Sequence, residues 1–234
     1  MAQPPGPPPP GAALIDRFNQ MLGRGRGPAG PPVAHYVAEG VAEFTFDQTG
    51  GPPLVQFQGS REILALTPQP APRGDLIFKN DVGDPVLRFS RLGGLTVYTS
   101  AHPEGAPAAL VGMATPIKLQ GIQDAAELFG RERLVSRRIS RVMQRDVEVD
   151  VPDIGPESWT LVADVINLAA DAFEKSADRI RHDQRLPHMD RLLVVEGDKP
   201  DVQVNYDTVQ ITVAPARGAA GRPSSVRIAR TLTH

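Results

Sequence analysis

The reading of one stretch, KNDVGDPVLRFSRLGGLTVYT from Lys79 to Thr99, decides the fold. Apolar and polar residues alternate through VLRF and LTVY, the period of a strand with one dry face. NDVGD and the Gly93–Gly94 pair interrupt that alternation with the residue types that tight turns require. The segment carries no His and no Cys. It therefore reads as consecutive hairpins, not as a catalytic loop.

The pattern continues outward. Between Val33 and about Leu119, short runs bounded by Gly and Pro include HYVAEGVAEFTF, PLVQFQG, REILALT, GDLIFKN, AALVGMA and PIKLQG. Their spacing is that of an antiparallel meander or small barrel. Phe44, Phe46, Leu76, Phe78, Leu95 and Val97 take inward positions, with Thr96 and Tyr98 on the opposite face. After Gly121 the period becomes helical, and Leu128, Val135, Ile139, Val142 and Met143 mark a helix ending near Arg145. DVEVDV, Asp146 to Val151, is extended. A second helix opens with Pro156 and Glu157 and carries an apolar face from Leu161 to Ile180. RLLVVEG, DVQVNY and TVQITVAP close the body, the last two joined tightly near Tyr206 and Asp207.

The expected fold class is α+β: an antiparallel β meander, small barrel or sandwich, then two helices and a closing β-hairpin region. The expected divisions are a Pro/Gly-rich arm over 1–32, a β-rich region over 33–120, two helices with C-terminal antiparallel strands over 121–215, and a loose polar tail over 216–234. Within the arm, residues 1–12 read as polyproline II, Leu14, Ile15, Phe18, Met21 and Leu22 as one face of a short helix, and GRGRGPAGPP as a linker.

Composition sets limits on chemistry. With 234 residues, 41% of them hydrophobic, the chain buries a core without cross-links, and it has no cysteine. Disulfides, thiolate metal sites and cysteine nucleophiles are thereby excluded. A formal net charge of −2 supplies no global basic field for nucleic acid or an anionic membrane. No run approaches the roughly 18 apolar residues of a membrane span. MAQPPGPPPPG has the character of a mature exported N-terminus, so the expected address is periplasmic, with the cytoplasm as the alternative.

Context decides how each motif reads. GRGPAG, Gly25 to Gly30, satisfies G-x-G-x-x-G but leads into Pro31 and Pro32 and opens no helix, so it reads as linker. The RGD at Arg73 to Asp75 reads as a turn. Asp146, Glu148 and Asp150 alternate on one side of an extended segment without the glycine turn of a calcium loop. The five histidines show no ligand spacing, and Ser224 and Ser225 in GRPSS lack a nucleophile elbow. No metal and no cofactor is nominated. The sharpest feature is RERLVSRRISRVMQR, whose Arg133, Arg137, Arg138, Arg141 and Arg145 could receive an anionic partner. The competing reading pairs this arginine face with Asp164, Asp171, Asp178 and Glu174 of the second helix.

The segments FTFDQTGGPPLVQFQG, TPQPAPRGDLIFKNDVGDPVLRFSRLGGLTVYT, RLLVVEGDKPDVQVNYDTVQITVAP and GRPSS resemble an uncharacterised family of exported proteins in Caulobacter-like alphaproteobacteria, a domain of unknown function. The resemblance spans about Val33 to Ser225 and implies an envelope location; it carries over no functional residue. Together these readings favour a non-enzymatic envelope protein that engages a protein or an anionic envelope component. The alternatives are a glycan or peptide hydrolase using Asp, Glu and His residues assembled in the fold, and a nucleic-acid binder using the arginine helix.

Overall fold

The computed structural model describes residues 32–152, 154–182, 186 and 188–233. The proline arm, the expected 14–22 helix and GRGPAG lie outside the described residues. The chain divides into two compact units. The first holds the residues up to Gln58 with Leu66–Lys79 and Pro85–Pro116, and the second holds Gly59–Ala65, Asn80–Asp84 and Ile117–His234.

Nine strands follow in chain order: β1 Val33–Ala38, β2 Ala42–Asp47, β3 Leu54–Phe57, β4 Ile63–Ala65, β5 Thr67–Pro70, β6 Leu76–Lys79, β7 Pro85–Phe89, β8 Leu95–Thr99 and β9 His102–Met113. They form one sheet in the order β4-β3-β2-β1-β9-β8-β7-β6-β5, with the long β9 pairing antiparallel to β1 on one side and to β8 on the other. Alternation decides which side chains go inside. Phe44, Phe46, Leu76, Phe78, Leu95 and Val97 are all buried, as the period-two pattern requires. Phe46 of β2 lies 5.2 Å from Phe78 of β6 and 5.5 Å from Phe89 of β7, while Tyr36 of β1 meets Phe89 edge-on. The sheet therefore curls until its two halves share one aromatic core, each such ring pair adding about 0.5–1.5 kcal/mol beyond its area.

The stretch Lys79 to Thr99 is two consecutive hairpins. Asn80 accepts hydrogen bonds through Oδ1 from the Val82 and Asp84 amides at 3.2 and 2.8 Å, and Gly83 supplies a φ of 86°. Strand β5 carries Pro68 and Pro70 and escapes a reading by alternation, because a proline strand survives only at a sheet edge, where β5 lies. PIKLQG forms no strand.

In the second unit, helix α1 spans Ala125–Met143, strand β10 Glu148–Asp150, helix α2 Trp159–Lys175 and helix α3 Ala177–His182. Strands β11 Arg191–Glu196, β12 Asp201–Val204 and β13 Thr208–Val213 follow, then helix α4 Ser225–Thr233. Asp124 caps α1 by accepting from the Glu127 amide at 2.8 Å, and Glu127 reaches back to the Gln123 amide at 3.0 Å. Strand order is β10-β11-β13-β12. This corrects the expectation of closing antiparallel strands: β10 with β11 and β11 with β13 are parallel, and only β12 with β13 is antiparallel. The connection from β10 to β11 passes through α2 and α3, which permits a parallel neighbour.

The 216–234 tail is also corrected. Pro215–Gly221 makes a 3-10 segment, and α4 buries Ile228 and Leu232. Those residues stand four apart behind Ser224, whose Oγ accepts from the Arg227 amide at 3.1 Å, so a capped amphipathic helix forms where composition alone looked polar. The unit's core is aliphatic, with α2 burying Val162, Val165, Ile166, Ala169, Ala170, Ala172 and Phe173. Among the described residues, no helix is long and apolar enough to cross a membrane.

Candidate functional site

Helix α1 divides its arginines between two roles because successive residues rotate around the axis. Arg138 faces α2: its Nε is 2.8 Å from Glu174 Oε1, and its Nη2 is 2.6 Å from both Glu174 Oε2 and Asp171 Oδ1. That hydrogen bonding holds the Glu174 carboxyl below the usual carboxylate range and raises Arg138 further. Arg138 is thus a strut between two helices, and it leaves the set of five arginines offered as a docking site.

The other four are exposed, and among the described residues their side chains make no hydrogen bond or ion pair. Arg133, Arg137 and Arg141 recur every four residues, a single ridge along the helix, with Arg145 beyond the left-handed Gln144 that ends it. Phe129 and Leu134 lie exposed by 63% and 56% beside that ridge. The free face of α1 therefore combines three guanidinium groups with two large apolar side chains, which the sequence pattern did not single out.

Along one flank runs an open cleft of about 540 Å³ lined by Ser136, Arg137, Ser140, Arg141, Asp146 and Glu148. Its hydroxyls are committed: Ser136 Oγ donates to the Val147 carbonyl at 2.6 Å, and the Val147 amide donates to Ser140 Oγ at 2.9 Å. These bonds seal backbone groups just before β10, an edge strand that would otherwise invite pairing. The cleft matches two arginines with two carboxylates, both exposed to water. Asp150 is ion-paired with Arg191, so the alternating acids do not converge. Among the described residues, no three His, Asp or Glu side chains form a group able to hold a metal ion.

A second polar constellation is buried and was missed by sequence reasoning. Arg222 is buried, ion-pairs through Nε with Asp164 Oδ2 and donates from Nη2 to the Ile63 carbonyl at 3.0 Å. Desolvation pushes the Asp164 carboxyl above its ordinary value, against the pull of Arg222. Beside it, Asp81 accepts from the Ser224 amide and hydroxyl at 2.8 and 2.5 Å, and Glu62 accepts from the Ser225 amide and hydroxyl at 2.8 and 2.6 Å. Every hydroxyl of GRPSS is bonded to a carboxylate, so neither serine is presented as a nucleophile. The recoverable signal was the pairing of GRPSS with an amphipathic i, i+4 pattern just after it.

The remaining motifs resolve as local structure. In the RGD, Asp75 is buried and accepts from the Arg91 amide at 3.0 Å and from Arg88 at 2.5 Å, which lowers its carboxyl, chiefly through the amide bond. Its carboxylate is turned inward, while Arg73 and Gly74 make a turn with φ of 67° and 80°. His35 stands 3.8 Å from Glu43 across a hairpin, and His188 stacks on Tyr206 with ring centroids 4.5 Å apart.

The architecture is that of an α+β protein with a curled antiparallel sheet and a mixed sheet backed by helices. Residues 17–232 match the model of the family described as Domain of unknown function (DUF4908), and the chain belongs to that family. No curated protein and no solved structure matches the chain.

Proposed function

We propose that the protein is a non-enzymatic binding protein of the cell envelope, and that the free face of α1 docks an anionic protein or envelope component. The observation that carries this reading is the ridge of Arg133, Arg137 and Arg141, none with a carboxylate partner among the described residues, beside exposed Phe129 and Leu134. Arginine and aromatic side chains dominate the energy of protein interfaces, and a basic ridge adds attraction to acidic groups. Support for a binder over a hydrolase comes from Asp146 and Glu148, the two carboxylates of the cleft, which both lie open to water. Support against nucleic acid comes from the net charge of −2.

The envelope address is part of the proposal and is checked by fractionating cells that produce the natural gene product. For the docking face, the Arg133→Ser/Arg137→Ser/Arg141→Ser variant is compared with wild type for retention on isolated envelopes and on vesicles rich in phosphatidylglycerol. Wild-type retention that falls with added salt, and a loss of about tenfold or more in the variant, is expected, since each tenfold is worth about 1.4 kcal/mol. Equal retention by a folded variant would dismiss the α1 face.

A further inference from the structure

We infer that the second unit carries a separate site for a phosphate group, in the concavity formed by the joint between α2 and α3 and one face of α4. The concavity holds about 250 Å³, and its polar wall consists of Lys175, Ser176, Arg179, Ser225, Arg230 and Thr233. Among the described residues, no carboxylate lines it. That separates it from the cleft beside α1, where two acids stand against two arginines.

The sequence brings the cations together from three places. Lys175 closes α2, Ser176 is the hinge residue, and Arg179 sits in the first turn of α3. Residues 225, 230 and 233 recur along one side of α4, and Arg230 reaches the concavity from its last turn. A lysine at a helix C-terminus serves the dipole by itself. Arg230, in the last turn of α4, serves that helix's dipole in the same way, and with Arg179 the three cations of separate helices line one wall. Arg230 donates to the half-exposed Asp84 at 2.5 Å, leaving further guanidinium donors, while Lys175 and Arg179 have no ion pair among the described residues. The Ser176 hydroxyl is likewise unbonded among the described residues, although the residue is buried. Ser225 and Thr233 are committed to Glu62 and the Ala229 carbonyl.

Size and valence choose the ligand. At about 250 Å³ the space lies below the roughly 300–1,000 Å³ of drug-sized ligand sites, so it takes a headgroup and not a nucleotide. A tetrahedral phosphate offers enough oxygens to meet two guanidinium forks and an ammonium at once, whereas a carboxylate offers two. The shared chemistry is a phosphate monoester or free phosphate.

The test uses the full chain and isothermal titration with inorganic phosphate, against sodium chloride at matched ionic strength, with a second arm using vesicles containing phosphatidic acid. Saturable phosphate binding that weakens about tenfold or more in Lys175→Gln and in Arg179→Gln, but not in Arg137→Ser, is expected, each lost charged hydrogen bond being worth about a factor of ten. Free-phosphate binding assigns a soluble ligand; binding only to phosphatidic acid vesicles, lost in the same variants, assigns a lipid headgroup. Heat identical to chloride in both arms, or equal weakening by Arg137→Ser, overturns the site. Urea midpoints of each variant matching that of wild type, as surface substitutions usually give, establish that the comparison is between folded proteins.

Discussion

Two groups of arginines in the second unit make opposite use of the same side chain. Arg222 is sealed from water, ion-paired to Asp164 and bonded to a backbone carbonyl. Arg133, Arg137 and Arg141 stand exposed on α1 with no carboxylate bonded to them among the described residues. Arg138, one residue from the second of these, belongs with the buried kind in behaviour, because a rotation of one residue turns it toward Asp171 and Glu174. The difference teaches that an arginine's role is set by where its helix face points and not by the density of arginines along the chain. A buried guanidinium holds elements in register; an exposed ridge costs the fold little and is available to a partner.

Breaking the buried pair should have the largest effect. Asp164→Asn leaves Arg222 charged and unpaired inside the protein, and a loss of about 3–5 kcal/mol in urea unfolding is expected. Adding Arg222→Met to that variant should recover most of the loss, since an apolar replacement of the whole pair is often neutral. A cost below about 1 kcal/mol for Asp164→Asn alone would erase the contrast between the two groups of arginines.

Next in size is the junction that leads from Arg222 into α4. Ser224→Ala removes both the cap on the Arg227 amide and the hydroxyl bond to Asp81, and should cost about 1–2 kcal/mol, read from the same unfolding curves. Hydrogen exchange in α4 should then quicken ahead of α2. Uniform change in both helices would mean that α4 has no separate stability.

Smaller effects belong to the strut. Asp171 and Glu174 are more than a third exposed, so a double-mutant cycle of Arg138→Ala with Glu174→Gln should give a coupling no greater than about 1 kcal/mol. Its pH dependence has a definite sign. Glu174 is lowered by Arg138, so its contribution is present above the ordinary carboxylate value of about 4.3 and disappears as pH falls through the lower folded value. Acid titration of Glu174→Gln should therefore converge on wild type at low pH, whereas parallel curves would remove the strut. Smallest of all, Arg137→Ser and Arg141→Ser should shift stability by no more than about 0.5 kcal/mol while still changing retention on envelopes.

Much of the first unit was legible in the chain because β alternation is local: Phe44, Phe46, Phe78 and Val97 each announce their side of the sheet through their neighbours two residues away. The helix at 125–143 was legible for the same reason at a different period, and so was the second, except that it breaks at Ser176 where a single helix from Pro156 to Ile180 was expected. Strand β5 was hidden by its prolines, which local propensity rejects and an edge position tolerates. The parallel pairing of β11 with β13 had no local signature, since a strand's residues do not specify its neighbour's direction. The α1 arginines were visible as a cluster, but the sorting of Arg138 from Arg137 was not.

The sequence by itself determined the period of each segment, the turns and caps that bound it, and the absence of thiol chemistry, because these depend on residues within a few positions of one another. Only the tertiary structure decided that Arg222 meets Asp164, that Glu62 and Asp81 hold Ser225 and Ser224, and that Lys175, Arg179 and Arg230 share one wall. Those meetings join residues far apart in the chain, and their energies depend on burial, which no local pattern of charge or polarity encodes.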